Sequence, residues 1–119
     1  MSDSATVLNL PSAPPRLAGD RVLRRIREEL SRMYRSRLAG VVLYGSRARG
    51  DNRPDSDIDI LVLLKEPIDW PQERWRLAEL AADIGLETDE APSFLLETED
   101  SFADPTIFMQ NVLEDGVLL

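Results

Sequence analysis

The amino-acid sequence predicts an α/β domain of the α+β kind, with a small mixed sheet flanked by helices. Short apolar runs bounded by glycine, proline and polar residues predict the strands, and they alternate with stretches whose apolar residues recur at helical spacing. At 119 residues the chain has room for one such domain with a modest core. We divide it into an irregular N-terminal arm, residues 1–18, and a folded domain, residues 19–119.

The arm leads into the first predicted helix. Three prolines occur in the arm among serine and alanine, a composition typical of irregular structure. Asp20 is the predicted N-cap of a helix whose apolar residues recur at helical spacing, namely Leu23, Ile26, Leu30 and Met33. We expect this helix to run to about Leu38 and to be stopped by Gly40.

A strand, a tight turn and a second strand follow. Val41–Tyr44 is a short apolar run, and Gly45-Ser46 leads it into about one helical turn that Gly50 ends. After a loop that contains a proline, Asp57–Leu64 is a strand that begins with two aspartates one residue apart.

The second half of the chain predicts a helix and a third strand. Pro71 opens the helix and Gly85 closes it, with an inward face formed by Trp75, Leu77, Leu80, Ala81 and Ile84. Ser93–Glu97 has the short apolar character of a strand.

A last helix and a tail complete the predicted elements. The helix begins at Asp104-Pro105 and runs to about Leu113, and an apolar tail, Val117–Leu119, follows it. The order helix, strand, turn, strand, helix, strand, helix indicates an α/β domain.

Composition excludes several kinds of chemistry. The sequence has no cysteine and no histidine, so any metal must be a hard ion with oxygen ligands, such as Mg²⁺. The net charge of −8 argues against direct nucleic-acid binding. No apolar run approaches the roughly 20 residues of a membrane span, and the N-terminus lacks a signal-peptide core. We therefore expect a cytoplasmic protein without a membrane contact.

The Gly45-Ser46 turn is a candidate phosphate site. A strand that turns into a helix points free backbone N–H groups at one spot, where the helix dipole favours an anion. Glycine lets the backbone approach closely and the serine hydroxyl adds a donor. The dipeptide taken alone is equally typical of a tight turn with an N-cap serine.

Asp57 and Asp59 are candidate metal ligands. Alternate residues of a strand share a face, with Cα atoms roughly 6.5 to 7 Å apart, so both carboxylates can reach a pair of metal ions. The opposite face of this strand is apolar and is predicted to lie in the core; it carries Ile58, Ile60, Val62 and Leu64. Ordinary turn aspartates at a solvated strand end are the alternative interpretation.

The stretch Gly45–Val62, "GSRARGDNRPDSDIDILV", resembles the signature of the DNA polymerase β-like nucleotidyltransferase superfamily: Gly-Ser, ten residues, then Asp-x-Asp. In its length the chain is similar to the minimal nucleotidyltransferases. Those are antitoxins of bacterial toxin–antitoxin pairs whose toxin is a HEPN-family ribonuclease.

This resemblance implies AMP transfer from Mg-ATP. Ser46 and the amides after Gly45 would hold the β- and γ-phosphates. Asp57 and Asp59 would be the catalytic residues and would bind Mg²⁺.

The resemblance also implies an acceptor, which in the antitoxin subgroup is a tyrosine of the HEPN-family toxin. Arg47 and Arg49 would support the phosphates or meet this partner, and simple surface arginines are the alternative. We expect Val7, Leu8 and Leu10 of the arm to dock on the partner.

A third carboxylate is where the chain departs from the family. The resemblance places it on the third strand, where the aligned residue is Ser93. Of the nearby acids Asp89, Glu90 and Glu97, Glu90 is the predicted substitute and third catalytic acid. Without a substitute, turnover is slow or nucleotide binds without efficient transfer.

Three functions therefore compete. The first is an antitoxin that adenylylates its toxin. The second is a nucleotidyltransferase for a small molecule of the aminoglycoside type, although such relatives carry a further helical domain. The third is a non-catalytic antitoxin that masks its toxin by binding.

Overall fold

The computed structural model of the chain describes residues 10–50, 57–102 and 106–119. They form a four-stranded mixed sheet flanked by helices, which confirms the predicted fold class. In chain order the elements are α1 (Pro15–Ala18), α2 (Arg21–Tyr34), β1 (Leu38–Tyr44), α3 (Ser46–Arg49), β2 (Ile58–Leu64), α4 (Trp70–Thr88), β3 (Pro92–Thr98), α5 (Ile107–Asp115) and β4 (Val117–Leu118).

The sheet has the strand order β3-β2-β1-β4 and contains both strand directions. β1 pairs antiparallel with β2 and with β4, whereas β2 and β3 are parallel. The connection between the two parallel strands is α4, as parallel pairing requires a crossover. The C-terminal end of β1 thereby lies beside the N-terminal end of β2, where Tyr44 is paired with Asp59.

The core lies on both faces of the sheet. One set of β2 side chains packs in the cluster that α2 and α4 cover: Ile58, Ile60, Val62 and Leu64. Leu61 and Leu63 pack in a second cluster with Met109 and Val112 of α5. Burying each of these apolar side chains contributes roughly 1.5 to 3 kcal/mol to the stability of the fold. Asp59 lies on the same face of β2 as Leu61 and Leu63, because alternate residues of a strand share a face.

The predicted N-cap of α2 is confirmed. The Asp20 side chain accepts hydrogen bonds from the backbone N–H groups of Val22 at 2.9 Å and Leu23 at 3.0 Å, which satisfies two donors of the first helical turn. The apolar positions of the predicted stripe are buried with the exception of Met33, which is partly buried.

The predicted boundary between α2 and β1 is wrong. The helix ends at Tyr34 instead of Leu38, because Arg35 adopts a positive φ of 51° that no helix continues. β1 begins at Leu38, which pairs with Leu64, and Gly40 lies inside the strand. Pairing with a long apolar neighbour has extended the strand through a residue that alone predicts a break.

The predicted end of α4 at Gly85 is also wrong, since the helix continues to Thr88. A Cβ on Gly85 would lie 3.1 Å from the Cβ of Ala91, so the glycine permits close passage of the chain leading into β3. Asp89, with a φ of 64°, provides the left-handed residue that ends the helix.

The prediction that Trp75 faces inward is wrong, since 68% of this residue is exposed. The buried stripe of α4 consists of Glu73, Leu77, Leu80 and Ile84. Trp75 is two residues, or about 200° of helical rotation, from Glu73. Glu73 is tolerated inside because Arg37 and Arg76 pair with it at 3.4 and 3.2 Å.

Residues 10–18 pack against the domain. Leu10 is buried with the α5 cluster, so the expected contact of this residue with a partner is wrong. Val7 and Leu8 lie outside the described residues. Pro15–Ala18 forms α1, whereas irregular structure was predicted, and Leu17 of this helix is buried.

The C-terminal tail is a strand as well. Leu118 of β4 donates its N–H to the Pro11 carbonyl and accepts from the Ala13 N–H, both at 2.8 Å. α5 extends to Asp115, and Thr106 caps it by accepting from the Met109 N–H. Its predicted start at residues 104–105 lies outside the described residues.

In the part of the chain that the structure describes, no helix combines the length and apolar character that crossing a bilayer requires.

Candidate functional site

The predicted Gly-Ser turn directly joins β1 to the single helical turn α3. Gly45 is the N-cap, with φ 77° and ψ −158°, and Ser46 is the first helical residue. Gly50 ends the turn, as predicted, and it does so in the left-handed conformation with φ 83°. The local chain path therefore comes from glycine at both ends of a four-residue helix.

Asp59 lies against this turn. A Cβ built on Gly45 would be 2.6 Å from Asp59 Oδ2, closer than two such atoms can approach. The absence of a side chain at Gly45 therefore leaves the space that the carboxylate occupies. Asp57, which directly precedes β2, is exposed, whereas Asp59 is half-buried.

The neighbouring strands place one residue on each side of Asp59. Tyr44 of β1 is its antiparallel partner, and Ser93 of β3 is its parallel partner. Side chains of directly paired residues lie on the same face of a sheet. The position next to Asp59, where the resemblance implied a third carboxylate, thus holds the exposed Ser93.

The electrostatics of this row disfavour an uncompensated negative charge. Burial and then the charge of Asp57 raise the pKa of Asp59. Burial and then the charge of Asp59 raise the pKa of Tyr44. A cation between the two aspartates would offset this cost.

The residues fit a magnesium ion. Mg²⁺ prefers oxygen ligands and is commonly bound through one or two carboxylates together with substrate phosphates. Asp57 and Asp59 would supply the carboxylates, since Asp57 is exposed and Asp59 lies against the Gly45 turn. Within residues 10–50, 57–102 and 106–119, no three acidic side chains form a metal-binding group, so the remaining ligands would be phosphate oxygens and water.

Glu90 is engaged by Arg47. Arg47 Nη2 donates to Glu90 Oε1, and Arg47 is a buried side chain on α3. Arg47 is therefore not the simple surface arginine that was one interpretation. The ion pair links α3 to the chain that enters β3, and the role of Glu90 as third acid stays a prediction.

The helical turn α3 has two further arginine contacts, one made by its own Arg49 and one by Arg16 of α1. Arg49 pairs with Asp115 of α5 at 3.1 Å. Arg16 donates from Nη2 to the Ala48 carbonyl at 2.9 Å. Neither observation tests the predicted phosphate contact of Arg49.

Three residues near the site were missed in the sequence: Tyr44, Phe108 and Arg16. The ring of Phe108 packs edge-to-face on Tyr44, with centroids 5.9 Å apart. Antiparallel pairing of the two predicted strands could have brought Tyr44 beside Asp59. Nothing local in the sequence marks Arg16 or Phe108.

Known proteins that are similar to this chain include members of the nucleotidyltransferase domain family. The model of the nucleotidyltransferase domain family matches residues 23–107. "Putative protein adenylyltransferase MJ0604" of Methanocaldococcus jannaschii is 33% identical over 92 residues, which are 76% of this chain and 86% of that protein. "Putative protein adenylyltransferase MJ0141" of the same organism is 31% identical over 68 residues, 57% of this chain and 68% of that protein.

Solved structures share the fold. A toxin–antitoxin structure with AMP-PNP has a TM-score of 0.57 and 26% identity, covering 79% of this chain and 69% of that chain. A mutant of the MntA-HpeT toxin–antitoxin has a TM-score of 0.55 and 26% identity, covering 81% and 70%. A structure from Sulfolobus solfataricus, with a TM-score of 0.50 and 21% identity over 99% of this chain and 86% of that chain, is similar in fold alone.

Proposed function

Because this chain belongs to the nucleotidyltransferase domain family, we propose that it transfers AMP from Mg-ATP to a hydroxyl group of a partner protein. The observation that carries the proposal is the close approach of Asp59 to the Gly45 turn, since the predicted phosphate-binding turn and a predicted metal ligand lie side by side. The relatives named as protein adenylyltransferases support the protein acceptor.

The turn and the two aspartates have separate tasks. The Ser46 hydroxyl and the backbone N–H groups at the start of α3 donate to phosphate oxygens and orient the triphosphate. Asp57 and Asp59 would hold Mg²⁺, which would neutralise charge at the phosphates.

The transfer is an in-line displacement. The acceptor oxygen forms a bond to the α-phosphorus while the bond from that phosphorus to the oxygen bridging to the β-phosphate breaks, and pyrophosphate leaves. The acceptor proton passes to solvent or to a base. Because Ser93 lies beside Asp59 and Glu90 is paired with Arg47, we expect slow proton removal and slow turnover.

We propose that the acceptor is a tyrosine of a HEPN-family toxin. The similar toxin–antitoxin structures, one of them with AMP-PNP, support a toxin partner and a nucleotide. The acidic net charge of −8 favours a protein partner over nucleic acid. AMP on the tyrosine would add a negative charge and bulk at the toxin's working surface.

Co-expression with the toxin encoded by the neighbouring gene tests the proposal. We expect wild type to rescue growth and mass spectrometry to find AMP on a toxin tyrosine. The Asp57→Asn/Asp59→Asn variant should lose both while remaining folded. A helical toxin of another family would contradict the HEPN assignment, and AMP on another residue type would contradict the tyrosine.

A masking antitoxin is the second candidate, and the serine beside Asp59 favours it. Masking requires binding but no chemistry, so equal rescue by the double aspartate variant, with no AMP on the toxin, would establish it. Binding of the toxin by purified wild type and by the double aspartate variant should also be measured. Rescue by a variant that binds the toxin but transfers no AMP indicates masking.

A further inference from the structure

We propose that Arg16 is a positioning residue for the phosphate-binding turn and acts through the C-terminal end of α3. The inference rests on the proposed function, because it concerns the same turn. Arg16 lies on α1, 31 and 32 positions before the two residues whose carbonyls it contacts. Its Nη2 donates to the Ala48 carbonyl at 2.9 Å and its Nη1 to the Arg47 carbonyl at 3.4 Å.

α3 needs support from outside because it is one turn of four residues. Helices this short are unstable alone, since one or two hydrogen bonds do not offset the entropy of ordering the backbone. The bonds within the turn run from the Arg49 N–H to Gly45 at 3.2 Å and from the Gly50 N–H to Ser46 at 3.0 Å.

A guanidinium suits the opposite end of this turn. The last carbonyls of a helix lack partners within the helix and carry its negative partial charge. The planar fork of an arginine can donate to two neighbouring oxygens and adds a positive charge where the dipole favours one. Arg16 satisfies both carbonyls with a single side chain.

The close seating of Arg16 gives Gly50 a second role. A Cβ on Gly50 would lie 3.2 Å from Arg16 Nη2 and 3.3 Å from its Cζ. Gly50 therefore ends the helix with a positive φ and also leaves room for the guanidinium to reach the carbonyls.

The consequence lies at the start of the same turn. Ser46 and the N–H groups after Gly45 bind phosphate only while α3 is formed. Without Arg16 the turn opens more often, so both nucleotide affinity and transfer rate fall. The Arg47–Glu90 ion pair holds the turn from its side, and the loss is therefore partial.

The test compares Arg16→Ala with Arg32→Ala, an exposed arginine that pairs with Glu29 on its own helix. Calorimetry measures the affinity for Mg-AMP-PNP, and amide hydrogen exchange without nucleotide reports on Arg49 and Gly50. Losing charge-assisted hydrogen bonds should weaken binding by about tenfold in Arg16→Ala. Exchange at both amides should accelerate while the amide of Leu61 in β2 keeps its rate.

Free guanidinium, added well below denaturing concentration, should restore affinity to Arg16→Ala and leave Arg32→Ala unchanged. Wild-type affinity and exchange in Arg16→Ala would overturn the proposal. Acceleration that includes Leu61 would overturn it too, because Arg16 would then support the fold in general. If wild type binds no nucleotide, the proposed function fails, and exchange at Arg49 and Gly50 alone decides the role of Arg16.

Discussion

Gly45 and Asp59 approach so closely that no side chain fits between them. In Gly45→Ala the new Cβ would lie 2.6 Å from Asp59 Oδ2, and alanine would have to adopt a φ of 77°. We expect a loss of about 1 to 3 kcal/mol in the free energy of unfolding and loss of AMP transfer. Urea denaturation and a transfer assay measure the two effects.

Gly19→Ala is the matched control for this substitution. Gly19 has a negative φ of −88°, and its added Cβ would meet its nearest atom, the Pro15 carbonyl oxygen, at 3.3 Å. It should retain transfer. Full activity in Gly45→Ala would mean that the turn and Asp59 separate without consequence for the chemistry.

Asp59 should make stability depend on pH in the metal-free protein. Its pKa is raised in the folded state, so the unfolded chain gives up the proton first and stability falls as the pH rises from about 4, the usual pKa of aspartate, through the raised pKa. Asp59→Asn should therefore be more stable than wild type at pH 7, with the difference vanishing near pH 3. Denaturation at both pH values, without divalent ions, measures this.

The exposed Asp83 of α4 provides the control. As a surface substitution, Asp83→Asn should change the free energy of unfolding at pH 7 by about 0.5 kcal/mol or less. Adding Mg²⁺ at pH 7 should stabilise wild type and leave Asp59→Asn unaffected. A stabilisation of Asp59→Asn that is the same at pH 3 and pH 7 would show that charge is not its cause.

β3 offers a way to restore the third carboxylate. Ser93 is the parallel partner of Asp59 and is exposed. Ser93→Asp therefore adds a carboxylate beside Asp59 without displacing buried side chains. If proton removal limits turnover, the transfer rate should rise by roughly tenfold or more, in line with the contribution of a positioned base. A single-turnover AMP transfer assay measures the rate.

Ser93→Asn separates charge from size at this position. It has the shape of aspartate but cannot accept the proton as a base, so its rate should stay at the wild-type level. Equal acceleration by both variants would contradict a role for the new carboxylate as base or metal ligand.

α4 shows which of its apolar residues holds the domain together. Leu77 is 3% exposed and Trp75 is 68% exposed. Leu77→Ala should lower the free energy of unfolding by about 2 to 5 kcal/mol, whereas Trp75→Ala should change it by about 0.5 kcal/mol or less. Denaturation of both variants is the measurement, and a larger loss in Trp75→Ala would place the tryptophan in a contact absent from the isolated chain.

The same helix explains where sequence patterns failed. Hydrophobicity placed Trp75 inside because an aromatic residue is apolar, but helical geometry selected the stripe that begins with Glu73. From the sequence alone, Glu73 is expected at the surface. It is buried because Arg37, 36 positions earlier in the chain, pairs with it in the fold. Likewise Gly40 and Gly85 predict breaks locally, and only strand pairing and the approach of Ala91 decide otherwise.

The candidate site was predictable where its parts are close in sequence. Gly45, Ser46, Asp57 and Asp59 lie within 15 residues, and glycine and aspartate mark their conformations and charge directly. The contacts of Arg16, Glu90 and Phe108 depend on packing between distant segments, which a local pattern does not encode. Family membership follows from the first group, whereas the support of the turn follows only from the second.

Leu10, the first residue that the structure describes, is part of the core. Leu10 is buried with Val42, Leu61 and Val112, so Leu10→Ala should lower the free energy of unfolding of the domain by about 2 to 5 kcal/mol. Calorimetry should show one cooperative transition at a lower temperature. Pro11→Ala, at an exposed neighbour, is the control, and an unchanged transition in Leu10→Ala would mean that this residue is only loosely attached.

Leu118 forms backbone hydrogen bonds with Pro11 and Ala13. Leu10 is buried only when Met109 and Val112, about 100 residues later in the chain, pack against it. A ribosome supplies residues in chain order, at roughly 5 to 20 per second, so the earliest of these segments emerges many residues before its companions. β1 likewise lacks its β4 neighbour until the last two strand residues are made. The domain can therefore finish folding only after residue 118 has left the exit tunnel. A truncated translation product would expose one edge of β1 and the side chain of Leu10 to the quality-control machinery.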